Sequence, residues 1–174
     1  MLRRLKPLVP QAVLKQLYYS FVHSHFTYAI TSYQSAYQNQ IKRLDNLINR
    51  AIKVTHNIDT LTPAFLKEKR FMNFDMTVEY FCCINMYKIL KTDGNHFFEN
   101  KIYSFQIEHE HETRATSHQL MDLPAYRLSK CKRSFLYRGI SFWNKLPIET
   151  RNNPNNLNCF KNVLKQYIFD RIVQ

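Results

Sequence analysis

Glycine is almost absent from this chain, with two among 174 residues. Phosphate-cradling loops and nucleophile elbows need several glycines at fixed offsets, and neither Gly-x-Ser-x-Gly nor a glycine-rich phosphate loop occurs. So little glycine also argues against a loop-rich sandwich or barrel. No Asp-Asp pair is present either. Two-metal nucleotidyl transfer needs carboxylates gathered around metal ions about 4 Å apart. The aspartates of the first half, Asp45, Asp59, Asp75 and Asp93, are well separated in the sequence. Cys82, Cys83, Cys131 and Cys159 form no C-x-x-C pair, and the neighbours Cys82 and Cys83 do not both fit one structural zinc site. No run approaches the about 20 apolar residues of a membrane span. The basic start, Met1 to Lys6, has no apolar stretch behind it to make a signal peptide. These absences predict an intracellular chain, in the nucleus or the cytoplasm, with reduced cysteines and with no metal, cofactor or membrane contact.

What is present is positive charge and aromatic rings. Twenty-five lysines and arginines face 13 acidic residues, for a net charge of +12. Such a balance favours polyanions, nucleic acid first, although it also serves plain solubility. Eleven tyrosines and 13 phenylalanines in a chain that is 45% apolar predict a folded protein whose rings are buried or meet a partner. The length suffices for one core, or for two small units sharing one.

Apolar periodicity predicts helices through the first half. Pro10 opens the first, on which Val13, Leu14, Leu17, Phe21 and Val22 recur at helical spacing. Asn39 is a plausible cap for a second, with Ile41, Leu44, Leu47, Ile48, Ala51 and Ile52 on one side. The other side of that helix carries Lys42, Arg43, Arg50 and Lys53, a basic stripe that reads either as a solvated face or as a phosphate-tracking one. Thr62-Pro63 opens a short helix through Lys69, and Asp75 caps a longer one that Asp93-Gly94-Asn95 ends.

The second half reads differently. Ser117–Leu123 and Cys131–Tyr137 are expected to pair as a β-hairpin around Pro124. Gly139 is then expected at a tight turn leaving the second strand, Trp143 as the ring anchoring a short helix, and Pro147 as its stop. Asn152–Asn156 reads as a loop before a terminal helix carrying Leu157, Phe160, Val163, Leu164, Tyr167 and Ile168. His109-Glu110-His111-Glu112, with His118, offers imidazoles but matches no zinc spacing, so a solvated loop is the expectation. Arg127, Lys130, Lys132, Arg133 and Arg138 are interleaved with Tyr126, Phe135 and Tyr137. That combination suits phosphates and unpaired bases, with the rings serving as core in the alternative reading.

Several of these segments fall in a familiar order. They are Leu17–Tyr28, Leu44–Lys53, His111-x-Thr113-Arg114, Lys130–Arg133, Arg138-Gly139, Trp143-Asn144-Lys145-Leu146-Pro147 and Phe160-Lys161. Together they resemble the C-terminal thumb and tail of reverse transcriptases from jockey-like non-LTR retrotransposons. The resemblance implies a mainly α fold: a helical thumb-like region over residues 1–93, then a tail over 94–174 with the hairpin, the Trp-containing turn and a C-terminal helix. It implies that Lys42, Arg43, Arg50 and Lys53 grip the backbone of RNA or an RNA–DNA duplex without sequence specificity. The family's palm, with its paired aspartates, has no counterpart in these residues, so a non-catalytic fragment is expected. A palm domain or an acidic protein is a further candidate partner. The alternatives are a helical protein-interaction module and an inactive remnant of a mobile element.

Overall fold

All regular elements among the described residues are helices, as the mainly α expectation holds. The computed structural model describes residues 2–91, 120–152 and 156–171. The His109–Glu112 run, His118, His111-x-Thr113-Arg114, the stop at Asp93-Gly94-Asn95, the 93/94 boundary and the centre of the Asn152–Asn156 loop lie outside the described residues. The chain forms two compact units, Met1–Thr77 with Phe169–Gln174, and Val78–Ile168.

The first unit begins with α1 (Leu2–Leu5) and α2 (Gln11–Leu17). From α2 the chain runs without a break through a π-helical segment (Tyr18–His23) into α3 (Ser24–Thr27). The i→i+5 bonding of a π turn absorbs one extra residue. In an unbroken α-helix the eight residues from Tyr18 to Phe26 would overshoot two turns by about 80°. With one residue absorbed, both rings fall on the same side, and both are buried, at 1% and 5% exposure. Ala29, in the left-handed region at φ 51°, reverses the chain into α4 (Ile30–Tyr33). Then come α5 (Gln38–His56) and α6 (Pro63–Lys69). Thr62 caps α6, its hydroxyl accepting the Phe65 N–H at 3.2 Å, with Pro63 in the first turn. Ile41, Ile48 and Ile52 bury one stripe of α5 with Leu14, Tyr18 and Phe26, each such side chain contributing roughly 1.5–3 kcal/mol. Phe71 is the aromatic hub, 5.6 Å from Tyr18, 5.9 Å from Tyr19 and 5.0 Å from His56 between ring centroids.

Helix α7 (Phe74–Lys91) gives its first turn to this unit and the rest to the second. Asn73 caps it, its Oδ1 accepting the Met76 N–H at 2.9 Å. The expected cap, Asp75, lies two residues too late and sits exposed in the first turn. Cys82, Cys83, Ile84, Met86, Tyr87 and Ile89 are all buried, so α7 is apolar around most of its circumference, as befits a central helix. A short 3₁₀ turn (Cys131–Arg133), α8 (Phe135–Lys145), α9 (Ile148–Asn152) and α10 (Leu157–Asp170) follow. Within the second unit Phe160 stacks on Tyr87 at 4.4 Å and leans against Trp143 at 5.9 Å. The buried face of α8 is Leu136, Gly139, Ile140 and Trp143, an i, i+3, i+4, i+7 stripe.

Two expectations for this region are corrected. Cys131–Tyr137 is not a strand, so there is no hairpin among the described residues. Ser134, with extended backbone, accepts the Tyr137 N–H and starts a helix there instead. Val, Ile and Thr, the residues that stiffen a strand, are missing from 131–137. Gly139 is likewise not at a turn but inside α8, with no positive φ. A Cβ there would lie 3.1 Å from Met86 Sδ and 3.2 Å from its Cγ, so the glycine lets α8 approach α7 closely. Trp143 is buried at 4% exposure. Helix α8 ends at Lys145, Leu146 turns extended, and Pro147 leads into α9, a helix the sequence reading took no account of.

Candidate nucleic-acid interface

On α5 the buried residues Ile41, Ile48, Ile52 and Thr55 define one side of the helix. At 3.6 residues per turn, Lys42, Arg43, Arg50 and Lys53 fall within an arc of about 100° opposite that side. Lys42, Arg43 and Arg50 are exposed, and Lys53 is half-buried. Asn46 lies in the same arc, and Asn46, Asn49, Arg50, Lys53 and Leu61 line a polar cleft of about 460 Å³. Asn49 is held by Asp45, to whose carboxylate it donates at 3.0 Å. From Lys42 to Lys53 the face runs about 16 Å along the helix axis, the reach of about five phosphates on one strand of a duplex. Asp45 is half-buried, so no exposed anion interrupts the arc.

The second basic set lies on the other unit. Arg127, Lys130 and Lys132 are exposed around the 3₁₀ turn. Arg133 and Arg138 are half-buried and make contacts within the protein. The strand alternation that would send one set of side chains outward does not exist here, because Arg127 and Lys130 lie in a bend and a turn and Lys132, Arg133 and Arg138 in helical segments. Tyr126 and Tyr137, meant as stacking rings, lean on each other at 6.3 Å. Among the described residues no three His, Cys, Asp or Glu side chains gather to hold a metal ion, and no helix is long and apolar enough to cross a membrane.

A second feature of α5 went unread in the sequence. Leu47, Ala51 and Val54, at i, i+4 and i+7, make a second apolar stripe beside the basic arc. The sequence places Leu47 on the same side of the helix as Ile41 and Ile48, yet it is 59% exposed. This stripe floors an open groove of about 850 Å³, whose other walls include α1 and the π segment. Phe21 and Val22 from the π segment line it, Phe21 at 51% exposure. Arg3, Lys6, Arg50 and Lys53 stand around it, with Asp59 as the one acidic lining residue. Lys6 is positioned by donating to the Asn57 side-chain oxygen, and Asn57 is held in the left-handed region that ends α5. The 4–3 spacing of Leu47, Ala51 and Val54 was the available signal. It was absorbed into the stripe of Ile41, Ile48 and Ile52, which runs about 110° away around the helix.

No protein-family model matches the chain, and neither does any curated protein or solved structure.

Proposed function

We propose that the chain is a non-catalytic nucleic-acid-binding unit that grips a duplex by its phosphate backbone, in the manner of a reverse-transcriptase thumb. The observation that carries this reading is the placement of Lys42, Arg43, Arg50 and Lys53 on one arc of α5, opposite its buried stripe. Lysine and arginine on a helical face meet phosphates as charges, and the one amide on that arc, Asn46, lies among them beside the cleft it lines with Arg50 and Lys53. Binding therefore follows duplex geometry and not sequence. The exposed Arg127, Lys130 and Lys132 give the other unit a basic surface of its own.

The test is filter binding of a labelled RNA–DNA duplex across a salt series. Four phosphate contacts give a slope of log affinity on log salt near −3.6, or about a 150-fold loss from 50 to 200 mM salt, at roughly 0.9 per contact. The double substitution Lys42→Gln, Arg43→Gln lowers the slope by about 1.8, leaving about a 12-fold loss over the same range. Scrambling the duplex sequence leaves affinity unchanged. Affinity indifferent to salt, or a slope untouched by the double substitution, refutes the proposal.

A further inference from the structure

We infer that the groove between α1, the π segment and α5 receives an acidic amphipathic helix from a protein partner. This goes beyond backbone gripping and does not rest on it. A phosphate backbone presents no apolar surface to the floor made by Leu47, Ala51, Val54, Phe21 and Val22. A helix with two separate apolar stripes needs two apolar neighbours. The stripe of Ile41, Ile48 and Ile52 has its own core, and the stripe of Leu47, Ala51 and Val54 faces the groove. Large side chains left open in this way, Leu47 at 59% and Phe21 at 51% exposure, mark surfaces that other molecules cover.

The chemistry of the occupant follows from the walls. Four cations, Arg3, Lys6, Arg50 and Lys53, face one anion, Asp59, so the complementary surface is acidic. The floor extends about 10 Å along α5 from Leu47 to Val54, which is two turns of a second helix. An occupant with apolar anchors at i, i+4 and i+7 and carboxylates on its flanks meets both the floor and the rim. The groove volume of about 850 Å³ accommodates such anchors as a set of side chains. The π segment contributes directly, because Phe21 and Val22 sit within its widened turn.

The experiment is fluorescence anisotropy on the full chain with a labelled helical peptide of about 18 residues, leucines on one face and glutamates on the other. A version with lysines for glutamates, and one with the leucines scattered around the helix, serve as controls. The glutamate peptide binds, and both controls bind at least about tenfold more weakly. Leu47→Gln, at an exposed site, and separately Val54→Gln, weaken peptide binding about tenfold by removing floor contacts without altering charge. Neither changes the salt slope for the RNA–DNA duplex, whereas Lys42→Gln, Arg43→Gln changes that slope and leaves the peptide bound. Loss of duplex binding alone thus strikes the backbone reading and spares this one. Equal binding of either control peptide, or indifference to both groove substitutions, overturns the inference. So does sedimentation showing that the chain alone self-associates through Leu47, since the occupant is then a second copy.

Discussion

Replacing Gly139 by alanine sets two effects of known size against each other. In a helix interior alanine is favoured over glycine by about 1 kcal/mol. Against that stands the contact geometry: the new Cβ would sit 3.1 Å from Met86 Sδ, 3.2 Å from Met86 Cγ and 3.3 Å from Phe135 Cε2. Non-bonded heavy atoms prefer about 3.5–4.0 Å, so the thioether must retreat by about half an ångström. Met86 is fully buried at 0% exposure, and its retreat presses on neighbours that are themselves closed in. Overpacking of this kind costs about 1–3 kcal/mol, which outweighs the propensity gain and leaves a net loss of roughly 0–2 kcal/mol. The decisive measurement is a double-mutant cycle with Met86→Ala, by urea denaturation. The fluorescence of Trp143, the single tryptophan and part of the same helix face, reports the transition. Once Met86 is truncated its two contacts are gone and only the 3.3 Å approach to Phe135 Cε2 remains, so Gly139→Ala then stabilises by up to about 1 kcal/mol, giving a coupling of about 1–3 kcal/mol. Had Gly139 occupied a left-handed turn, alanine would destabilise equally in both backgrounds. A coupling near zero, or a stabilised Gly139→Ala single mutant, refutes the packing argument.

Two further perturbations report on other parts of the chain. Asn144 clasps Met121 with both ends of its amide, accepting from the Met121 N–H at 3.0 Å and donating to its carbonyl at 2.7 Å. Asn144→Ala strands two backbone groups and should cost about 1–3 kcal/mol, seen as a fall in Tm of about 2–4 °C per kcal/mol; an unchanged Tm counts against the clasp. His56 packs edge-on against Phe65 and Phe71, and burial, followed by the charges of Lys15 and Lys69, lowers its pKa. Its unfolded value is about 6.5, so the folded state binds fewer protons there; the stability it contributes is complete above that pH and is lost as pH falls below it. The stability difference between the wild type and His56→Gln should therefore shrink from pH 7.5 to pH 5, and a flat difference contradicts this assignment.

The helices of the first half were legible because each carried its own local signal. Thr62-Pro63 marked the start of α6, and the isoleucine stripe of α5 marked its buried side. The basic arc was legible too, since opposite sides of a helix are fixed by residue spacing alone. What escaped was whatever depended on a distant neighbour. Gly139 looks the same in sequence whether it frees a backbone angle or admits Met86, and only the approach of α7 decides. Phe135 and Tyr137 favoured a strand by propensity, but the Ser134 cap and the burial of Leu136, Ile140 and Trp143 on one helical face overrode it. Leu47 was misplaced because two apolar stripes on one helix look like one broad stripe until something shows which is covered. The groove needed α1 beside α5, a pairing between residues about 50 positions apart with no local trace.

The widened turn at Tyr18–His23 makes that stretch sensitive to counting. It acts as a phase adjuster between Tyr18 and Phe26, worth one residue of rotation. Tyr19, Ser20 and Phe21 are exposed, so exchanging one for another residue leaves the helix intact. Deleting any one of them lets an ordinary α-helix re-form over seven steps, about 700°, and keeps Tyr18 and Phe26 on one side, whereas inserting one turns everything upstream by about 100° relative to Phe26. Leu14 and Tyr18 would then swing off their buried side together. The segment thus tolerates many spellings and the loss of its extra residue, but a gained residue slips its register as one position slips a strand.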